Sequence, residues 1–321
     1  MECLYHYCGN QKCFSILKSH TLRMSDIRKS NDYTEMQLFY PQLLGWIRKL
    51  YLEKPFYLKY ENRENEEALD ELLDLEYDMF ESQFKDGSLS SFVICFSEKG
   101  NSLSQWRGYA DNGKGCCLGF SFSHLKDYCK STNELIRLEK VQYVSDGEIT
   151  EILKTEALSV LEELKGLRQW IVENMTLDDN APNTDGLLGF NFHGMLESIF
   201  IDSLKYKHEA FAEEKEWRMF FANRAYKNPE WVVGNRKDLG GPWGFSETIE
   251  MLQNRIEFNI LDDDIVPFFP VSIVSSDSTF DFVNELWIGP KNRACEEDIV
   301  LFLKQNGYHN TEVKFSGITY C

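Results

Sequence analysis

The stretch Phe211-Ala-Glu-Glu-Lys-Glu-Trp-Arg-Met-Phe-Phe221 concentrates the ionisable groups best suited to chemistry. From Glu214 onward polar and apolar residues alternate, and a period of two predicts a strand. Such a strand puts Glu214, Glu216 and Arg218 on one face and Trp217, Met219 and Phe221 on the other. One Glu–Arg pair would be an ordinary ion pair. A second carboxylate leaves excess negative charge on that face, which suits either a solvated strand edge or a site needing a carboxylate base or electrostatic stabiliser.

Two further groups could serve such a site. Cys3 to Tyr7 reads as a short strand with His6 on one face and Tyr5 and Tyr7 on the other. An imidazole in an apolar strand needs a partner, so a satisfied core histidine competes with a functional one. Trp106, Arg107 and Tyr109, in Ser104-Gln-Trp-Arg-Gly-Tyr109, offer stacking surface and a cation, as a bound nucleotide would need; packing at a helix end is the alternative. Asn31-Asp32 with Glu35 looks like a helix cap followed by a first-turn acid.

Other patterns carry less. Gly113-Lys-Gly115-Cys-Cys-Leu-Gly119 resembles a dinucleotide fingerprint, but its last glycine is one residue late and it leads into a strand; a turn with close backbone packing fits better. There is no phosphate loop and no Gly-x-Ser-x-Gly elbow. Cys3, Cys8 and Cys13 are too widely spaced for structural zinc, and Cys116 and Cys117 point to opposite faces of a strand. His124, His193 and His208 have no companion at ligand spacing, so no metal site is expected.

The elements that must position these groups are drawn from 321 residues, 43% hydrophobic and 14% aromatic, enough to bury a sizeable core. With 8 prolines and no low-complexity linker, a single α+β domain over 1–321 is expected, with helical insertions at about 34–86 and 147–206. The net charge of −18 argues against non-specific nucleic-acid binding, because phosphates would be repelled. Residues 61–86 supply half of it, with 11 acids against Arg63 and Lys85, the pattern of a solvated helix face. No signal peptide and no run near the ~20 apolar residues of a membrane span is visible. Nine cysteines without framework spacing fit reduced thiols in a cytoplasm.

Helices are expected at Asn10–Ser19, Thr34–Leu52 (kinked or started at Pro41), Asn65–Phe84, Ser102–Tyr109, Gly147–Met175, Leu187–Tyr206 and Cys295–Asn306. Strands are expected at Thr21–Ser25, Ser91–Ser97, Cys116–Phe122, Leu135–Val144, from Glu214, at Trp231–Val233, Ile256–Leu261, Ser272–Val274, Glu285–Ile288 and Glu312–Phe315. The two long helices read as an α-hairpin joined by an acidic loop at Thr176–Gly186. Strands are many and helices not regularly interleaved, so the class is α+β, with a mixed or antiparallel central sheet, N-terminal helices and an inserted long α-hairpin.

Taken in order, Leu4-Tyr-His-Tyr7, Ile16-Leu-Lys18, Leu22 with Ser25-Asp26, Asn31-Asp32 with Glu35, Cys95-Phe-Ser97, Gln105-Trp-Arg-Gly-Tyr-Ala110, Gly115–Phe120, Glu214-Lys-Glu-Trp-Arg218 and Ile288-Gly-Pro290 resemble the bacterial family known as domain of unknown function 2971. Tyr33 departs from the family's usual Asn-Asp-Pro. The N-terminal Leu-Tyr-His strand, the helix ending in Ile-Leu and the late strand glutamate are more distantly similar to the His–Tyr–Glu class of ADP-ribosyltransferases. That second resemblance implies NAD as co-substrate. His6 would hold the nicotinamide ribose, Trp106 or Tyr109 would stack, and Glu216 or Glu214 would be the catalytic carboxylate. Tyr7, Trp106, Arg107, Tyr109 and Arg218 would form the cofactor-binding set, Arg107 or Arg218 gripping pyrophosphate.

Three functions follow as expectations. The first is a cytoplasmic NAD-dependent ADP-ribosyltransferase-like enzyme, of the toxin or phage-defence kind, acting on an unnamed macromolecular acceptor. The second is a metal-dependent nuclease or other phosphate-chemistry enzyme using Glu214, Glu216 and Asp32 or Glu35. The third is a non-catalytic nucleotide-sensing or partner-binding module, with the acidic helix Asn65–Phe84 as its contact surface.

Overall fold

The computed structural model describes residues 2–27, 33–86, 91–132, 136–174, 184–222, 255–261, 264–274 and 282–319. The N-terminal half runs β1 (Cys3–Cys8), α1 (Asn10–Ser19), β2 (Thr21–Asp26), α2 (Tyr33–Glu53), β3 (Lys59–Tyr60), β4 (Arg63–Glu64), α3 (Asn65–Asp86), β5 (Ser91–Ser97), α4 (Leu103–Tyr109), β6 (Cys116–Ser121), α5 (Phe122–Ser131), β7 (Ile136–Lys140) and β8 (Gln142–Val144). Then come α6 (Asp146–Asn174), α7 (Thr184–Ser203), β9 (Tyr206–His208), β10 (Glu216–Ala222), β11 (Glu257–Leu261), β12 (Asp264–Ser272), β13 (Val283–Ile288), α8 (Glu296–Gln305) and β14 (Glu312–Phe315).

The class is α+β, and the chain forms two compact units. Residues 1–30, 90–141 and 210–321 make the first; residues 31–89 and 142–209 make the second. Unit two contains both stretches expected as helical insertions, with α2 packed on α3 and α6, and α6 on α7. Its core includes a buried carboxylate, Glu76, whose Oε2 accepts from Tyr40 Oη at 3.1 Å and meets His193 Nδ1 at 2.8 Å.

Unit one is built on a mixed sheet in the order β11-β12-β2-β5-β1-β6-β13-β14, with β10 on β5 and β7 on β10. Only β13 and β14 are parallel among its described pairs; the rest are antiparallel. Antiparallel partners share a face. Glu285, Gly119, Tyr5, Ser97 and Glu216 therefore form one row across β13, β6, β1, β5 and β10. The alternate residues Leu4, Phe96, Leu118, Met219 and Leu286 point to the opposite face. There the main core forms, filled by Cys13, Ile16 and Leu17 of α1, Leu125 of α5, and Ile299 and Leu303 of α8. On the first face lies a smaller cluster under α4, made of Tyr7, Trp106, Ala110 and Cys117.

Gly113, Gly115 and Gly289 let two loops of unit one stack backbone on backbone. Gly289 N donates to Gly115 O and Lys291 N to Gly113 O. A side chain on Gly115 would meet the Cys8 carbonyl oxygen, and one on Gly289 the carbonyls of Gly113 and Gly115. This is the close backbone packing expected of the Gly113–Gly119 segment.

Some elements differ from expectation. The strand read from Glu214 begins at Glu216, because residues 209–214 wind into a 3₁₀ turn and Lys215 takes a left-handed backbone with φ 46. Local alternation cannot register that break. Of the strand expected at Ser272–Val274 only Ser272 is strand, the last residue of β12; β12 pairs with both β11 and β2 although Pro267 and Pro270 supply no ladder donor, which hid the strand from a local reading. Leu135–Val144 divides into β7 and β8, which join different sheets. Helix α5 was unforeseen; its N-cap is Ser121, accepting from His124 N. Pro41 sits inside α2. The strand at Trp231–Val233 and the cap at Asn31-Asp32 lie outside the described residues, as do 175–183 of the acidic loop; residues 184–186 begin α7.

Candidate functional site

The candidate site lies on the first face of unit one, where the exit of β5, helix α4 and the 209–214 turn converge. Ser97 ends β5. Its hydroxyl donates to Glu214 O at 2.7 Å and accepts from Lys99 N at 3.2 Å, while Glu98 N donates to Lys215 O at 3.0 Å. These bonds fix the turn carrying Glu214 to the loop leading into α4. From the end of α4, Tyr109 Oη donates to Glu214 Oε1 at 2.8 Å. Tyr109 is 44% exposed, and Arg107 beside it is also exposed. An accessible carboxylate, a phenol and a guanidinium thus share one end of a short helix.

Beneath them, Glu216 and Arg218 are 3% and 2% exposed. Arg218 Nε donates to Glu216 Oε1 at 2.8 Å and Nη2 to Oε2 at 3.3 Å. Both carboxylate oxygens are thereby held by one guanidinium fork. The two residues do share a strand face, as the alternation indicated, but that face is buried. Glu214 is not on the strand at all.

Tyr7 and Trp106 are structural in this arrangement. Tyr7 Oη donates to Lys99 O at 2.7 Å and accepts from Ser102 N at 3.0 Å, clamping the 97–102 loop. Burial pushes its phenol well above the usual value. Trp106 is fully buried, edge-on to Tyr7 at 4.9 Å, with Nε1 donating to Asn101 Oδ1 at 2.9 Å. Neither presents an open ring for stacking.

His6 lies apart from the carboxylates, on the opposite face of the sheet. It is 7% exposed, edge-on to Phe96 at 6.1 Å, and its Nδ1 lies 3.0 Å from Cys95 O. Where β1 and β5 diverge beyond the Tyr5–Ser97 pair, this side chain takes up the Cys95 carbonyl. A carbonyl can only accept, so Nδ1 carries the proton and Nε2 is bare; Nε2 has no partner among the described residues. Burial above all, with Lys12 adding to it, lowers the imidazole to about 3 against the opposing Cys95 bond, so His6 is neutral. A role holding a ribose beside Glu216 does not fit this placement, because successive strand residues face opposite ways.

Sequence reading missed a second polar cluster on the same face. Glu285 Oε2 accepts from Trp287 Nε1 at 2.7 Å and Tyr5 Oη at 3.1 Å, and Oε1 meets Lys314 Nζ at 2.9 Å. Burial would raise this carboxyl, but those partners outweigh it and hold it below its usual range. Gly119, between Tyr5 and Glu285, leaves room for the tyrosine ring. The alternation of Glu285 and Trp287 was the available signal. Among the described residues no group of three or more His, Cys, Asp or Glu is placed to hold a metal ion. No described helix is long and apolar enough to cross a membrane.

An α+β unit with a tyrosine–glutamate contact at the surface, beside the end of β5, is the class that fold and site define. Residues 105–219 match the family model described as protein of unknown function (DUF2971), which supports that family resemblance over the stretch from α4 to β10. The match includes Trp106, Arg107, Tyr109, Glu214, Glu216 and Arg218 and leaves out His6 and Tyr7. No curated protein and no solved structure matches the chain.

Proposed function

We propose that the Tyr109–Glu214 surface binds NAD and that the chain is an ADP-ribosyltransferase-like enzyme, a cytoplasmic effector modifying a macromolecular acceptor. The observation supporting this reading is the 2.8 Å contact that holds Glu214 at the exposed end of α4, the helix that also carries the exposed Arg107. The residues fit the ligand in part. Tyr109 offers an exposed ring and Arg107 a cation for pyrophosphate, while Trp106 and Arg218, also expected to bind, are buried. When the bond between nicotinamide and ribose breaks, its electron pair leaves with nicotinamide and positive charge develops on the ribose. A fixed carboxylate stabilises that charge, and Glu214, not Glu216, is the one open to solvent.

Charge distribution supports an anionic ligand. Unit two carries 27 acids against 11 bases, net −16, and unit one 25 against 23, net −2. The unit bearing the site therefore lacks the strong acidic excess of the whole chain.

One observation favours a second reading, nucleotide binding without turnover. Glu216 is neutralised by the Arg218 fork, so a single accessible carboxylate remains from the pair. Thermal shift with NAD, followed by nicotinamide release with and without cell lysate, separates the readings. Stabilisation and release, both lost in Glu214→Gln and indifferent to chelator, support the transferase. Stabilisation without release supports the binding module. No shift and no release from folded protein overturns both, and release that chelator abolishes transfers the case to metal-dependent chemistry.

A further inference from the structure

We propose that residues 316–319 are a displaceable cover over a ring-binding floor in unit one, and that the planar heterocycle of a nucleotide takes their place. The ligand class rests on the NAD reading above. The floor is the cluster of Tyr7, Trp106, Ala110 and Cys117, bordered by Tyr5 and Trp287. It lies on the same sheet face as Glu216, and the main core lies on the other. Opening it leaves the main core intact.

The cover is lightly tied. Ser316 N donates to Ile288 O at 2.9 Å, the last bond of the β13–β14 edge. Beyond it, Ile318 is half-buried against the aromatic cluster, while Gly317 and Thr319 are exposed. The side-chain tether is Ser316 Oγ, donating to Asn101 Oδ1 at 2.7 Å. Among the described residues, one apolar side chain and one such bond hold the cover to the floor, a contact of the kind that opens locally at small cost. The floor itself is rigid, because Tyr7 clamps the 97–102 loop from both sides.

Asn101 supplies the specificity. Its Oδ1 accepts from Trp106 Nε1 and from Ser316 Oγ. When Ser316 leaves, one acceptor lone pair becomes available beside an aromatic surface. The exocyclic amine of adenine or the carboxamide N–H of nicotinamide supplies the matching donor, and a flat ring suits the surface.

The test measures the affinities of wild type, Ile318→Ser and Ser316→Ala for NAD, nicotinamide and adenine, with circular dichroism as the check on folding. If the open form is about one molecule in ten, removing the cover tightens binding about tenfold in Ile318→Ser, with a smaller gain in Ser316→Ala. Hydrogen exchange at saturating ligand should rise across 316–319 and fall across 99–106. Equal affinities in wild type and both folded variants, or protection of 316–319 by ligand, overturns the cover. If NAD binds wild type and variants alike, the NAD reading stands and the cover fails. If nicotinamide or adenine binds the variants more tightly while NAD binds neither form, the cover stands and the NAD reading fails. Should Ile318→Ser unfold, Ser316→Ala and hydrogen exchange on wild type decide alone.

Discussion

Glu216 grips Arg218 with both carboxylate oxygens, at 2.8 and 3.3 Å, two residues along one strand and almost wholly out of water. A buried fork of this kind is costly to break from one side, because a buried charge then loses its bidentate partner. Glu216→Gln is expected to destabilise the protein by roughly 3–5 kcal/mol, read as the shift in denaturant midpoint. Replacing both residues, as Glu216→Met with Arg218→Leu, should recover most of that loss. If the double variant is no more stable than the single one, the pair does more than neutralise itself.

The contact above it should behave in the opposite way. Tyr109 and Glu214 meet at the surface, so Tyr109→Phe is expected to change stability by no more than about 1 kcal/mol. NAD turnover should fall with the loss of carboxylate positioning, and more in Glu214→Gln than in Tyr109→Phe. Thermal melts beside nicotinamide release rates check both halves. A Tyr109→Phe enzyme with unaltered turnover would remove Tyr109 from the site.

His6 should leave a signature in the acid limb of stability. Its folded pKa of about 3 lies below the unfolded value near 6.5. Below pH 6.5 the unfolded chain gains a proton that the folded chain refuses. Stability from this group is complete above pH 6.5 and falls by about 1.4 kcal/mol per pH unit as the pH drops towards 3. His6→Leu should flatten that slope between pH 6.5 and 5, measured by urea melts, while being less stable at pH 7.5 if the Cys95 carbonyl is left without its donor.

Two glycines should respond with opposite sign. Gly166 lies within α6 with open space where a side chain would go, so Gly166→Ala should stabilise by about 0.5–1 kcal/mol. Gly115→Ala should destabilise by about 1–3 kcal/mol, because the methyl meets the Cys8 backbone carbonyl, which cannot swing away. Comparing the two melts checks the close stacking of the 113–115 and 289–291 loops.

Much of the fold was legible because periodicity reports which side of an element is buried. The strand read at Cys3–Tyr7, the alternation running through Trp217–Phe221 and the apolar spacing of α1 and α3 correspond to real elements. So did the α+β class. Local sequence also paired Glu216 with Arg218 on one face. What it did not decide was whether that face meets water or another layer, since burial depends on what packs against the strand from far along the chain. The order β13-β6-β1-β5-β10 joins residues 280 positions apart into one row, and that order alone puts Tyr5 with Glu285 and His6 on the far side from Glu216. Sequence determined the candidate chemistry of the residues; tertiary structure decided which charges are spent on each other and which remain at the surface.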